Sequence, residues 1–470
     1  MRGRWTSCAL LLAGLSACGE RPAPHPMGDT NPQSELARTL GTIRTSTANQ
    51  PKTLKILFYG QSISQPKWTD IAVAHLRATY PNTRFIVRNL AIGGFESTKL
   101  ERTVERDIDE VYPDLIVFHA YGDHRAYERV IKAMRTRTAA EIIVQSDHVT
   151  VPVEPICRGG LHLTLRAPPG CKGFLWYRQN SWEEFFSGTA VPGIAWRYHL
   201  AVDPRRWGWN AYLKRHDLAI ADLLADPPHP NDRGWALMAR LFDAWFDKLV
   251  RDWTPHPQTL VWEQALPPGN SATLEVTGNR IELIASAPLD GKVAVLVDGK
   301  PPRDLDGCWQ TGRTDMLPNV PYWPAIRRVT MSAAAHQPGR WTAILHDLSP
   351  DQTKFTFRLY GPNGADGQGD GMKDFVSPSG QVRIDARDWS IPAAMALKQQ
   401  GVPEGYRIGW DRRFVCGDEP STPLAPGRIE ARHVIATGLA NGPHRITLRL
   451  TPDARAAIGA VRTYRPPLAD

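Results

Sequence analysis

Ser62, Asp226 and His229 are the residues whose types and placing could carry chemistry. Ser62 follows the apolar run Leu54-Lys55-Ile56-Leu57-Phe58-Tyr59 by two residues, Gly60 and Gln61. Asp226-Pro227-Pro228-His229-Pro230-Asn231 stands just ahead of an amphipathic stretch over 236–250. A serine hydroxyl is a poor nucleophile at neutral pH and needs a neighbouring base to take its proton. A histidine can do that and then protonate a leaving alkoxide. A carboxylate on the far side of the ring fixes its tautomer and stabilises the imidazolium. With Asp226 three residues before His229, one short loop restricted by two prolines supplies both groups. The chemistry is acyl transfer from an ester, and it needs neither metal nor cofactor.

Positioning these groups requires a sheet whose strand ends face one crevice. Between 54 and 252, short apolar runs alternate with helical spacing. Strands are expected at 54–59, 84–90, 114–120 and 141–145, and helices at 68–79, 100–110, 127–136 and 236–250. That alternation implies a parallel sheet covered on both faces. Ser62 then lies at the carboxyl end of the first strand, where open α/β sheets bind their ligands. His119, Asp147 and His148 also fall near strand ends. They read as hydrogen-bonding groups behind the cleft, with His148 able to reach it. Residues 150–210 interrupt the rhythm with a long excursion, helical over 179–186. It carries Trp176, Tyr177, Trp182, Phe185, Phe186, Trp196, Tyr198, Trp207 and Trp209. Most of these rings are expected to pack the excursion down, leaving one or two to stack on sugar.

After a linker at 253–260, β-like runs separated by Gly, Pro, Asn and Asp turns fill 258–468. They read as one all-β sandwich. Its Trp309, Tyr322, Trp323 and Trp389 are candidates for sugar stacking, and Asp366–Asp370 (DGQGD) reads as an exposed turn rather than a calcium loop.

Taken together, these blocks resemble those of the SGNH (GDSL-like) hydrolases. The serine block reads GQSI, with Gln61 where that family usually has an acid. The glycine block matches Asn89-Leu90-Ala91-Ile92-Gly93-Gly94, and the histidine block matches Asp226 to Gly234. The resemblance spans roughly residues 54–250. It implies a flavodoxin-like α/β domain, a catalytic set of Ser62, His229 and Asp226, and an oxyanion amide at Gly94, with Gly93 an adjacent contender. Where the family has G-x-N-D, this chain has Tyr121-Gly122-Asp123-His124. An ionised Asp123 would repel the developing charge. Asp123 must then turn away and leave His124 to donate, or be protonated, or leave the task to the Ser62 and Gly94 amides. The ends of the β half (293–300 and 438–460) resemble jelly-roll modules attached to carbohydrate esterases.

The first residues read as an export signal over 1–17: Arg2 and Arg4, then Cys8-Ala9-Leu10-Leu11-Leu12-Ala13-Gly14, too short to span a bilayer. Leu15-Ser16-Ala17-Cys18 resembles a bacterial lipobox. That implies lipid on Cys18, and Gly19 after it implies sorting to the outer membrane. Residues 18–53, poor in apolar side chains, read as a disordered tether. Four further cysteines suggest two disulfides in an oxidising compartment, Cys157–Cys171 and Cys308–Cys416. The net charge of +8 comes with no Lys/Arg block or nucleic-acid motif, so a dispersed basic surface is expected and a nucleic-acid partner is not.

The function expected is deacetylation of an O-acetylated poly- or oligosaccharide. A lipid or thioester acyl hydrolase and a polysaccharide O-acetyltransferase are the alternatives on the same scaffold. Alginate O-acetyltransferases place their acid–base motif before the serine, whereas here Ser62 comes first. A binding protein with a decayed site would draw only on Asp123.

Overall fold

The computed structural model describes residues 30–150, 181–257, 260–286, 292–417 and 431–468. The proposed signal, Cys18, and the Cys157–Cys171 pair lie outside these residues, as do Trp176 and Tyr177.

Five parallel strands form the first unit: β1 (Lys52–Gly60), β2 (Thr83–Asn89), β3 (Leu115–His119), β4 (Glu141–Gln145) and β5 (Ala201–Asp203). Their order is β2-β1-β3-β4-β5, which is the flavodoxin-like winding. Alternate residues of the strands feed opposite cores. Leu57, Tyr59, Ile116, Phe118, Ile142 and Val144 face one core, and Ile56, Phe58, Leu115, Val117 and Ile143 face the other. Helices Trp68–Thr79 and Asp232–Arg251 cover the second face. Helices Val104–Val111 and His124–Arg137 cover the first. The expected helix over 100–110 is two pieces, Ser97–Leu100 and Val104–Val111. β5 has no signature in the sequence, because three residues are too few to carry a periodicity.

The tether expected over 18–53 does not hold for its described part. Residues Pro32–Glu35 and Ala37–Arg44 are helical. Leu36, Leu40 and Ile43, on one helical face, are buried in the second core. The Arg38 and Thr39 amides both donate to the buried Glu141 carboxylate at 2.7 Å, and Arg38 reaches Asp114. Three apolar residues at helical spacing were enough to fold a segment whose composition is otherwise polar.

The β half is two units, one nested in the other, rather than one sandwich. The outer unit pairs a four-stranded sheet (431–436, 280–285, 458–464, 261–265) with a three-stranded one (293–297, 442–450, 271–278) around a shared core. Between its strands at 297 and 431 the chain builds a five-stranded antiparallel sheet, ordered 309–311, 407–414, 339–346, 356–361, 364–370. The core of this inserted unit (Leu317, Val320, Trp323, Phe357, Trp410) is continuous with the first core of the α/β unit. The junction is also ionic. Arg313 grips the fully buried Asp107 at 2.7 Å, and Arg102 grips Asp388 at 2.6 Å. Burial alone would raise the Asp107 pKa, but Arg106 and Arg313 beside it hold it below the usual carboxylate value.

Where the chain enters and leaves the inserted unit, Trp309 pairs with Phe414 and the Cys308–Cys416 disulfide ties the two crossings. The bond closes a loop of 108 residues in sequence separation. Replacing both cysteines with alanine should lower stability by about 2–4 kcal/mol, read as a lower urea midpoint. An unchanged midpoint would mean that strand pairing alone holds the neck.

Candidate active site

Ser62 owes its place to the turn after β1. Gly60 has φ +141°, and a Cβ there would lie 1.9 Å from the His119 carbonyl oxygen. Only glycine lets β1 end so close to β3. Residues Ser62–Ser64 then form a single 3-10 turn. Asn89 holds that turn, donating to the Ser64 carbonyl at 2.8 Å, and Trp68 donates to the Ile63 carbonyl at 2.7 Å.

The partners arrive from the other end of the α/β unit. Leu224–Asp226 and His229–Pro230 pair as a tight antiparallel hairpin. Asn231 caps the closing helix by accepting from the Gly234 amide at 3.1 Å, and its own amide donates to the Leu223 carbonyl. The hairpin brings His229 Nε2 to 2.9 Å from Ser62 Oγ, and Asp226 Oδ1 to 2.6 Å from His229 Nδ1. All three sequence-derived residues therefore meet in hydrogen-bonding order. Ser62 is half-buried, while the His229 and Asp226 side chains are 39% and 63% exposed, so the site opens at the surface.

Gly94, with φ +75°, lies on the loop after β2. The inserted β unit clamps that loop. Trp323, 3% exposed, donates from Nε1 to the Gly93 carbonyl at 2.6 Å and packs on Gly94. Arg313 donates to the Leu90 carbonyl at 2.7 Å. Tyr322 lies beside Gly93 and is 37% exposed. Among the four aromatic residues proposed for sugar stacking, only Tyr322 is available; Trp309, Trp323 and Trp389 are buried. In the excursion, Phe186 and Trp209 are core residues, whereas Trp182, Trp196 and Trp207 are exposed. Asp366 is occupied by Ser379, and no group of acidic, His or Cys residues among the described residues could hold a metal ion.

Asp123 turns to the helix that follows it. Its exposed carboxylate caps helix His124–Arg137, accepting from the Ala126 amide at 2.8 Å. That hydrogen bond holds its pKa below the usual value. His124 is the first residue of the helix and packs edge-on against Phe185, ring centres 5.4 Å apart. Asp123 does the work of an N-cap for that helix.

Four further residues join the site. Gln61 folds back so that Ser62 Oγ donates to its Oε1 at 2.6 Å, and its Nε2 stands 3.3 Å from His119 Nδ1. Behind them His119, Asp147 and His148 are buried together at the ends of β3 and β4. Their position at strand ends was visible in the sequence, but their contacts were not.

No protein family and no curated protein matches the chain in sequence. Several solved structures resemble it in outline. A two-domain esterase active on acetylated mannans, crystallised with mannopentaose, is 14% identical and aligns over 93% of this chain and 98% of its own, with a TM-score of 0.35. An acetylxylan esterase from Geobacillus stearothermophilus is 18% identical over 42% of this chain and 94% of its own, with a TM-score of 0.30. An α/β hydrolase from the metagenome of Lake Arreo, Spain, is 16% identical over 42% of this chain and 96% of its own, with a TM-score of 0.32. At such identities and scores these likenesses decide nothing about substrate.

If Asp123 serves as a cap and no more, Asp123→Ala should cost about 1 kcal/mol of stability. The rate at which a fluorophosphonate labels Ser62 should stay as it is. A large loss of labelling in folded protein would return Asp123 to the reacting centre.

Proposed function

We propose that this protein is a serine esterase that removes acetyl groups from an O-acetylated poly- or oligosaccharide. The observation that carries the proposal is the placing of Ser62 Oγ 2.9 Å from His229 Nε2 and of His229 Nδ1 2.6 Å from Asp226; the Ser62 proton, given to Gln61 Oε1 at rest, turns to His229 Nε2 in the reaction. Ser62 attacks the acyl carbon while its proton passes to His229 Nε2. The Ser62 and Gly94 amides receive the oxyanion, a charge best met by fixed backbone donors. His229 then returns the proton to the departing sugar oxygen, leaving acetyl on Ser62. A water molecule, giving its proton to His229, releases acetate and restores the serine.

Two features support a carbohydrate over a long acyl chain. The exposed Asp226 and His229 place the reacting atoms at the surface. Tyr322 offers an exposed ring beside Gly93, and amphipathic aromatic faces suit sugar rings. In the same proposal the protein is exported and held at the outer membrane by lipid on Cys18, a reading of residues 1–19 alone.

The test is acetate release from acetylated polysaccharides by residues 19–470, beside short- and long-chain nitrophenyl esters. Turnover should favour acetyl esters and fall by about 10⁴-fold or more in Ser62→Ala. Equal activity in that variant would sink the nucleophile, and a preference for long chains would sink the carbohydrate substrate.

A further inference from the structure

Behind the reacting residues lies a buried cluster that the ester chemistry does not use. Asp147 (2% exposed), His119 (2%) and His148 (0%) meet where β3 and β4 end. A single oxygen, Asp147 Oδ1, accepts from the Tyr121 hydroxyl at 2.9 Å, and His119 Nε2 at 3.3 Å and His148 Nδ1 at 3.1 Å stand at ion-pair distance from it without hydrogen-bond geometry. Burying a carboxylate is costly unless such partners surround it. Burial pushes the Asp147 pKa up, but His119 and His148 more than reverse this and hold it well below the usual value. The backbone here is clamped as well: Arg206 donates to the carbonyls of Asp147 and His148, and is itself fixed by Glu183 at 2.5 Å.

The two histidines lead outward to different halves of the reaction site. His148 Nε2 lies 2.8 Å from the Pro228 carbonyl oxygen. A carbonyl only accepts, so that nitrogen carries a proton and donates. Pro228 is the residue before His229, in the loop of two prolines that sets the spacing between His229 and Asp226. Proline has no amide to anchor this loop, so its carbonyl is what remains to be held. On the other side, Gln61 accepts the Ser62 proton at Oε1, so its Nε2 faces His119 Nδ1 as donor. That leaves the His119 proton on Nε2, toward Asp147. One buried carboxylate thus stands between the turn that carries the nucleophile and the loop that carries its base.

We propose that Asp147 and His148 are positioning residues for the reaction: His148, oriented by Asp147, pins the Pro228 carbonyl and so holds His229 in line with Ser62, while His119 carries the same constraint to Gln61. The proposal rests on the esterase reading for its effect on rate, but its structural part stands apart from it. Misplacing a reacting group by about 1 Å can cost about 100-fold in rate, and at Pro228 itself the His148 bond is the tie that holds the carbonyl.

The test compares His148→Phe, which keeps a ring and loses both contacts, with His148→Gln, whose amide can still donate to the Pro228 carbonyl, and with Asp147→Asn. Folding is checked by near-UV circular dichroism. For nitrophenyl acetate, His148→Phe should lose about 100-fold in kcat with KM changed by no more than about twofold. His148→Gln should recover most of that loss, and Asp147→Asn should fall between the two. Amide hydrogen exchange over residues 222–231 should quicken in His148→Phe and stay near wild type in His148→Gln. This readout needs no activity, so it decides the pinning even if the wild-type protein turns over no ester and the esterase reading fails. Unchanged exchange in folded His148→Phe would overturn the proposal. So would a kcat loss of the same size in His148→Phe and His148→Gln, which would show that the cluster only supports the fold.

Discussion

The carbonyl oxygen of His119 occupies the space where any side chain on residue 60 would have to be, 1.9 Å from the Cβ that a residue other than glycine would add. That close approach of β1 to β3 governs how the rest of the site is placed. It stops β1 at its carboxyl end and turns the chain into the single turn that bears Ser62. It also brings the His119 ring within reach of Gln61, so the residue before Ser62 is held from behind. A bulkier residue at 60 would push the strand ends apart and move Ser62 away from the incoming His229.

Around that point the molecule builds the site from pieces far apart in sequence. The serine turn, the Gly93–Gly94 loop and the Asp226–His229 hairpin all belong to the α/β unit. Yet the glycine loop is held largely by the inserted β unit, through Trp323 on Gly93 and Arg313 on Leu90. The shared apolar core and the buried Arg313–Asp107 and Arg102–Asp388 pairs make that contact a fixed one. Ion pairs of this kind add little net stability once their desolvation is counted, but breaking one leaves a buried charge uncompensated. They therefore specify how the units dock more than they strengthen the docking. The Cys308–Cys416 bond holds the neck through which the inserted unit is joined.

Asp123 shows how one side chain can suit two readings of the same stretch. Its place after β3 resembles that of an oxyanion asparagine, and its charge then looks harmful. In the structure the same side chain points to the Ala126 amide and starts a helix. Asp and Asn are both favoured N-caps, and whether such a side chain reaches the cleft or the helix depends on a rotation that no local pattern records.

The sequence by itself determined the α/β unit, the order of its main elements and the two blocks that bring Ser62, His229 and Asp226 into contact, because each depends on local signals. Apolar runs of strand length, helical spacing, and a D-x-x-H block before a helix can all be read within a dozen residues. The Cys308–Cys416 pairing was legible too, from the parity of the cysteines and their separation. What only the tertiary structure decided depends on contacts between distant segments. Composition made residues 32–44 look like a tether, yet their few apolar side chains find a core made by the helix at 232–251. Strand texture alone could not separate the inserted β unit from the one that surrounds it, since antiparallel strands look alike whichever sheet they join. The contacts of Trp323, Gln61, Asp147 and His148 were likewise hidden. A buried polar group takes its meaning from the partner that satisfies it, and here those partners lie on other strands and loops, brought together only when the sheet closes.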